Sequence, residues 1–363
     1  MGRIFNFNAG PSALPLPVLE KMQAELLDFN GTGMSIMEHS HRGKDFEAVL
    51  AESKKLMTEV MGIPANYKII YCTGGASTQF ALIPMNFLHE GSGDYIQTGE
   101  WSEKAIKEAK IQGKKFNIAC STKGEDGVYR RVPKQNELKL DPNARFVHLT
   151  TNNTIFGTQF KSLPNTGSAP MILDMSSDIM SKKMDFNNVG MIYAGAQKNM
   201  GPSGVTVVII RDDMVEKCAP GLPTMFSYKT YVDNDSLYNT PPTIAIYLVK
   251  LVLEWAKGVG GIPQIEKWND EKANLLYATI DKYPDFYKGT TEKESRSWMN
   301  VTWRLPNEKL EETFVVEAKK AKLGGLKGHR KVGGIRASLY NAVTVEGVKA
   351  LCGFMEEFYS KNK

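Results

Sequence analysis

Two residues of opposite charge stand where apolar runs end. Residues 170–174 close on the carboxylate of Asp174. The runs 190–194 and 205–210 are joined by a loop built from Gly195, Ala196, Gly201, Pro202 and Gly204, in which Lys198 is the only long cation. A lysine amine condenses with carbonyl compounds, and a carboxylate that keeps a pyridine nitrogen protonated turns pyridoxal phosphate into an electron sink. Taken singly, Lys198 reads as a surface lysine in a turn, and Asp174 as a cap leading into Met175, Ser176 and Ser177. Taken with the groups that follow, they describe a cofactor site.

The runs beside Lys198 are too short for helices and too continuously apolar for a half-exposed sheet, which predicts buried strands. An acid at the carboxyl end of such a strand sits where α/β sheets bind their ligands. Further strands are expected at 68–72, 94–97 and 146–150, each followed by polar residues. After the first, residues 73–80 (TGGASTQF) read as a glycine turn into a helix, an anion site on exposed backbone N–H groups, although the GxxxxGK[ST] pattern is absent. After the second comes Trp101, either core packing or a lid on a flat ring. After the third come Thr151, Asn152, Asn153 and Thr154. The repeat of short strand, polar turn and helix predicts an α/β fold with a mostly parallel sheet and its polar turns on one edge.

Outside that stretch, the first fifteen residues are rich in Asn, Gly and Pro and read as an extended arm, and residues 16–30 carry helical spacing at Val18, Met22, Leu26 and Leu27. A loop with His39, His41 and Arg42 precedes a helix near 45–60. Asn239, Thr240, Pro241 and Pro242 turn into a helix at 244–257, and Gly258, Val259, Gly260 and Gly261 then break the pattern. These glycines follow a helix, so they are no dinucleotide fingerprint. The domain boundary is placed there: a large domain at 16–261, and a smaller α+β domain from 262–363 with the arm 1–15. Its helices are expected near 264–282, 308–322 and 345–359, and its strands at 298–304 and 335–339. The basic loop 327–336 reads by itself as solvated, but Arg336, opening a strand after two glycines, can point a long cation into a cleft.

The 363 residues suffice for two domains, and 42% hydrophobic with 23% charged residues is ordinary for a globular chain. A formal charge of +5 with scattered lysines argues against a nucleic-acid surface. Cys72, Cys120, Cys218 and Cys352 lie far apart without metal-ligand spacing, so no metal is expected. The start lacks the layout of a signal peptide, and no apolar run approaches the roughly 18 residues of a membrane span. A cytoplasmic location without a membrane partner is therefore expected.

Residues 5–15 (FNFNAGPSALP), 40–46 (SHRGKDF), 195–204 (GAQKNMGPSG), 239–243 (NTPPT), 328–330 (GHR) and 333–342 (GGIRASLYNA) closely resemble, in order and spacing, the phosphoserine aminotransferase family within the class V aminotransferases. The resemblance runs nearly the whole chain. It implies a fold-type-I transferase with a seven-stranded-type sheet in its large domain and one pyridoxal 5'-phosphate (PLP) per subunit, working as a homodimer with shared active sites. The implied reaction moves an amino group reversibly between L-glutamate and 3-phosphohydroxypyruvate, giving 2-oxoglutarate and O-phospho-L-serine for serine biosynthesis. Many relatives also act on a phosphorylated threonine analogue in pyridoxine biosynthesis.

Carried onto this chain, the resemblance makes Lys198 the lysine that joins the cofactor aldehyde, Asp174 the partner of the pyridine nitrogen, and Trp101 the stacking ring. Thr154 is then the hydroxyl near the cofactor's O3', and Ala76, Ser77 and Gln197 form the phosphate cradle. Asn239 and Thr240 reach the phosphate of the other subunit's cofactor. Arg336 grips the substrate α-carboxylate, for which a planar two-pronged donor is suited. His41, Arg42, His329 and Arg330 form a distal pocket for glutamate's side-chain carboxylate and for the phosphate of the second substrate. Some relatives have arginine at the position of Ser77 and serine at that of Ala9, so phosphate recognition here is expected to rest on the other four cations, and any contact from the arm on backbone. Two other readings stand beside this one. One is another class V enzyme, such as an alanine–glyoxylate aminotransferase or a cysteine desulfurase, the latter needing a nucleophilic cysteine on a mobile loop. The other is a PLP-fold binding protein without catalysis, which would have little reason to keep Lys198, Asp174 and Arg336 together.

Overall fold

The computed structural model describes residues 2–363; Met1, the first residue of the expected arm, lies outside them. In chain order the strands are β1 Phe5–Asn6, β2 Tyr67–Cys72, β3 Gly93–Gln97, β4 Phe116–Ser121, β5 Val147–Thr150, β6 Asn152–Asn153, β7 Thr158–Gln159, β8 Met171–Asp174, β9 Val189–Gly195, β10 Thr206–Arg211, β11 Lys288–Gly289, β12 Asn300–Arg304, β13 Leu323–Gly324 and β14 Ile335–Ser338. The helices are α1 Leu16–Ala24, α2 Lys44–Met61, α3 Gly75–Phe87, α4 Glu100–Ile111, α5 Asp212–Glu216, α6 Tyr228–Asp233, α7 Thr243–Gly258, α8 Gly261–Lys282, α9 Glu308–Lys320 and α10 Val345–Asn362.

Among the described residues, seven strands make the largest sheet, in the order β2-β10-β9-β8-β5-β3-β4. β10 runs antiparallel to both its neighbours, and the remaining pairs are parallel. Thr206 at the start of β10 therefore lies opposite both Cys72 and Gly195, the last residues of β2 and β9. The carboxyl ends of β2, β3, β5, β8 and β9 meet on one edge, and the turns leaving them are the polar ones.

The strands are apolar without interruption because both faces of the sheet are covered. Ile69, Leu149, Leu173, Ile192 and Val207 pack with apolar residues of α2 and α7, while Ile70, Ile172, Met191 and Val208 pack with those of α3 and α4. A second core gathers around Trp303, Phe314, Leu351 and Met355, beneath the antiparallel sheet β11-β12-β14. The 22-residue helix α8 serves both cores: Ile262 and Ile265 belong to the first, Ala273, Leu276 and Ile280 to the second. No described helix is long and apolar enough to cross a membrane.

The expected arm is extended, and β1 pairs in parallel with β13, Phe5 opposite Leu323. Beyond it, Phe7 belongs to the second core, and its carbonyl accepts the Ser338 N–H at 3.1 Å. One expectation is corrected: the helix read over residues 16–30 stops at Ala24, and a short 3-10 turn follows at Phe29–Gly31. Asn30 there takes φ +53°, a left-handed conformation that an α-helix cannot continue through. Residues 116–121, marked by no apolar run, form the edge strand β4.

Where the two cores meet, polar side chains interlock out of water. The Asn300 amide donates to Ser338 Oγ at 2.9 Å and to the Tyr340 hydroxyl at 3.2 Å, and its carbonyl accepts from the Asn152 amide at 2.8 Å. Tyr340 in turn donates to the Ala9 carbonyl at 2.8 Å, which ties the arm to the seam. Asn300→Leu should therefore lower the unfolding free energy by about 2–4 kcal/mol, since each buried group left unmet costs about 1–3 kcal/mol. Urea titration of the two proteins measures this, and an unchanged midpoint would show that the seam contributes nothing.

Candidate active site

The first turn of α3 begins at a glycine pair. Gly74 adopts φ +84°, and a Cβ there would sit 1.8 Å from Thr78 Oγ1, so the turn can be made only by a residue without a side chain. The leading N–H groups of a helix have no intrahelical acceptor, and those of α3 open on a cavity of about 390 Å³ at the carboxyl edge of the large sheet. Of the residues singled out from the sequence, Ala76, Ser77, Trp101, Thr154, Asp174, Gln197, Lys198, His329 and Arg336 line this cavity.

Asp174, the last residue of β8, is buried, and one carboxylate oxygen accepts the Ser176 N–H at 3.0 Å. Burial pushes its carboxyl above the ordinary range, while hydrogen bonds from Ser176, the Lys198 charge and the Tyr193 hydroxyl act in the opposite sense. Lys198 follows β9. Burial brings its amine down to about 8, with the nearby Asp174 charge resisting and Arg336 assisting. Asp174 and Lys198 act on each other through space and, among the described residues, form no direct ion pair.

The arm roofs this part of the cavity. Gly10, at φ +138°, passes so close that a Cβ would lie 3.3 Å from Lys198 Cγ, and Ser12 donates from its hydroxyl to the Lys198 carbonyl and from its N–H to the Gln197 carbonyl. The aromatic wall is Trp101, in the first turn of α4 rather than at a strand end, with its ring centroid 5.4 Å from Lys198 Nζ. Its indole N–H donates to Thr154 Oγ1 at 2.9 Å, and Thr154's carbonyl accepts from Arg336 Nη1 at 3.0 Å. One residue thus fixes both the ring and the cation. Ser176, Gly10 and Ser12 were missed as site residues; the Gly-Pro-Ser sequence in the arm was the available signal.

The other singled-out residues lie apart. His41 and Thr240 meet each other, Nδ1 to Oγ1 at 3.4 Å, and the Asn239 amide donates to the Thr240 carbonyl at 3.3 Å. Arg42 is exposed beside them, and none of the four lines the cavity. Arg330 is exposed next to His329, whose imidazole is pushed down by burial and then by the charges of Arg336 and Arg330. The following residue, Lys331, pairs with Glu100 of α4 at 2.6 Å, which ties the basic loop to the helix that carries Trp101.

The arrangement has the parts a PLP group needs: helix N–H groups for a phosphate, an indole for a ring face, an acid and an amine set apart, and a guanidinium at the far side. The family model for aminotransferase class-V matches residues 4–351. The phosphoserine aminotransferase of Desulfatibacillum aliphaticivorans is 55% identical over 362 residues, 99% of each chain. The solved phosphoserine aminotransferase from Bacillus circulans subsp. alkalophilus superposes with a TM-score of 0.96 at 52% identity over 99% of both chains. The PLP-bound phosphoserine aminotransferase from Trichomonas vaginalis does so with a TM-score of 0.92 at 38% identity, over 98% of this chain and 100% of that one.

An amine is nucleophilic only when uncharged, so in cofactor-free protein the reductive labelling of Lys198 by formaldehyde and borohydride should be half-maximal near pH 8, the value to which burial lowers it. Exposed lysines should follow the ordinary midpoint of about 10.4. Mass spectrometry of the Lys198 peptide against pH checks this, and a midpoint shared with the exposed lysines would refute it.

Proposed function

Because the chain belongs to the class V aminotransferase family, we propose that it exchanges an amino group reversibly between L-glutamate and 3-phosphohydroxypyruvate, giving 2-oxoglutarate and O-phospho-L-serine for serine biosynthesis. The observation that carries this reading is the cavity holding Asp174 and Lys198 between an anion-binding helix terminus and Arg336. Relatives named for this reaction match the chain from end to end.

PLP, when bound, supplies an aldehyde carbon that condenses with amines and a pyridinium ring that accepts the electron pair left at the substrate's α-carbon. The first turn of α3, with Ala76, Ser77 and Gln197, binds its phosphate, and Trp101 covers one ring face. Asp174 holds a proton at the ring nitrogen, and the Thr154 hydroxyl, already accepting from Trp101, has its own proton free for the ring oxygen. Lys198 Nζ, its basicity lowered by burial, would take the proton from the amino donor's α-carbon and deliver it to the cofactor's aldehyde carbon, and would move a proton the opposite way for the amino acceptor. Arg336 spends one N–H on Thr154 and keeps the rest of its fork for the α-carboxylate.

The distal anion group meets His329 and Arg330, joined by His41 and Arg42 of a second copy of the chain. Asn239 and Thr240 of that copy reach the cofactor phosphate. What supports a homodimer is that these four residues cluster outside the chain's own cavity, flanked in sequence by the exposed Met34, Met37 and Tyr238. In this reading residues 16–261 bind the cofactor, residues 262–363 with the arm close the site, and the enzyme works in the cytoplasm, where its free cysteines stay reduced. A desulfurase would need a reactive thiol, yet Cys352 sits in α10 against the second core, where burial pushes its thiol up.

Two results test the proposal. O-phospho-L-serine should bleach the yellow absorbance of the holoenzyme and L-alanine should not; the reverse would mean another amino donor. Separately inactive Arg42→Ala and Lys198→Ala proteins, mixed and allowed to exchange subunits, should recover about a quarter of wild-type activity, because half the dimers are hybrids with one intact site of two. Absence of recovery, with exchange verified, would rule out the shared site.

A further inference from the structure

A buried polar chain runs from Asp174 to residues that do not line the cavity, Tyr193 and His148, and nothing in the mechanism above uses it. Tyr193 on β9 is in register with Asp174 on β8, so the two side chains leave the same face of the sheet. The hydroxyl of Tyr193 favours the charged form of the Asp174 carboxylate, and the same hydroxyl lies 2.8 Å from Nε2 of His148, two strands away on β5. The His148 and Tyr193 rings stack at 6.0 Å and 27°, and Tyr95 leans on His148 from β3 at 5.3 Å. All three rings are at most 1% exposed.

The direction of this chain is decided by proton counting. Burial alone pushes the His148 imidazole down to about 3, so it is neutral and carries one N–H. With that hydrogen on Nε2, His148 donates to the Tyr193 oxygen, and Tyr193's single proton can turn toward its cross-strand neighbour Asp174. With it on Nδ1, Tyr193's proton would turn to Nε2, and Asp174 would lose a donor. Nδ1 has no hydrogen-bond partner among the described residues. A buried N–H without an acceptor is costlier than a bare lone pair, so the hydrogen belongs on Nε2.

From this geometry we infer that His148 and Tyr193 are positioning residues, a one-way relay of donors from Nε2–H through the Tyr193 hydroxyl that keeps the Asp174 carboxylate oriented and charged toward the cofactor's ring nitrogen. The inference rests on the reading of Asp174 given above. A histidine present only to fill space would be replaceable by any side chain of similar volume. A histidine in the relay is replaceable only by one that offers a donor where Nε2 stands, and glutamine does so.

The test has two parts. In cofactor-free protein with 15N-labelled histidine, the His148 resonance, assigned by its loss in His148→Gln, should report hydrogen on Nε2 and a bare Nδ1; hydrogen on Nδ1 overturns the relay. In the holoenzyme, Tyr193→Phe and His148→Leu should each weaken PLP affinity and lower kcat about tenfold with KM for phosphoserine unchanged, while His148→Gln stays within about twofold of wild type. Tyr193→Phe equal to wild type, or His148→Gln no better than a folded His148→Leu, overturns it. If His148→Leu does not fold, the tautomer and Tyr193→Phe decide. Asp174→Asn separates the levels: wild-type PLP affinity and kcat there would sink the reading of Asp174 itself, whereas a crippled Asp174→Asn beside an unaffected Tyr193→Phe sinks the relay alone.

Discussion

An acid and an amine must share one small cavity without collapsing onto each other. Burial drives both toward neutrality, Asp174 upward and Lys198 downward, and each resists the shift in the other. A direct ion pair would relieve both, but it would fill the space where a ring has to go. What prevents it is backbone: Asp174 ends β8, Lys198 follows β9, and the two strands are locked in register within a sheet covered on both faces. The rigidity of that sheet is therefore part of the site's chemistry. Side chains alone could not hold two attracting charges apart.

The cavity walls extend the same logic. Thr154 receives the Trp101 indole on its hydroxyl and Arg336 on its carbonyl, so the aromatic wall and the cation that faces it share one anchor. Thr154 lies in the turn after β6, and Asn152 of β6 is held by Ser177 and Asn300 from two other parts of the chain. Orientation in this site comes from hydrogen bonds made far from any reacting atom.

Much of this was legible in the sequence because the central strands are buried on both faces and read as unbroken apolar runs ending in polar turns; 170–174, 190–194 and 205–210 each fall within about one residue of a strand. Lys198, Asp174 and Arg336 stood out because charge is rare at the ends of such runs. Other features were hidden for physical reasons. β4 lies at the sheet edge with one side exposed, so its composition is mixed. The break after Ala24 is hidden because the apolar spacing runs on through Leu26 and Leu27, which the fold leaves exposed. The Asn300 seam and the His148–Tyr193 contact join residues 38 or more apart in sequence, and each residue alone is an unremarked polar side chain in or beside a strand. The loop with His39, His41 and Arg42 stands out by its three cationic or switchable groups, but only the resemblance to known aminotransferases gave His41, Arg42, Asn239 and Thr240 a role.

The arm also has a place in time. Up to Ala9 its contacts, β13 for Phe5 and Asn6, Ser338 for Phe7 and Tyr340 for Ala9, are made with residues near the end of the chain. A ribosome delivers the arm first and those partners last. The seven-stranded sheet, finished at Arg211, can assemble on the nascent chain while residues 5–9 of the arm have nothing to pair with and only Ser12 has its partners, the Gln197 and Lys198 carbonyls. During that interval the growing protein already carries its acid, its amine and its helix terminus, but not the wall at Arg336, and the stretch of arm before Gly10 is still unanchored. The last cavity wall arrives only with Arg336, so a chain that stops short of it holds the acid and the amine of the site and leaves them open to water.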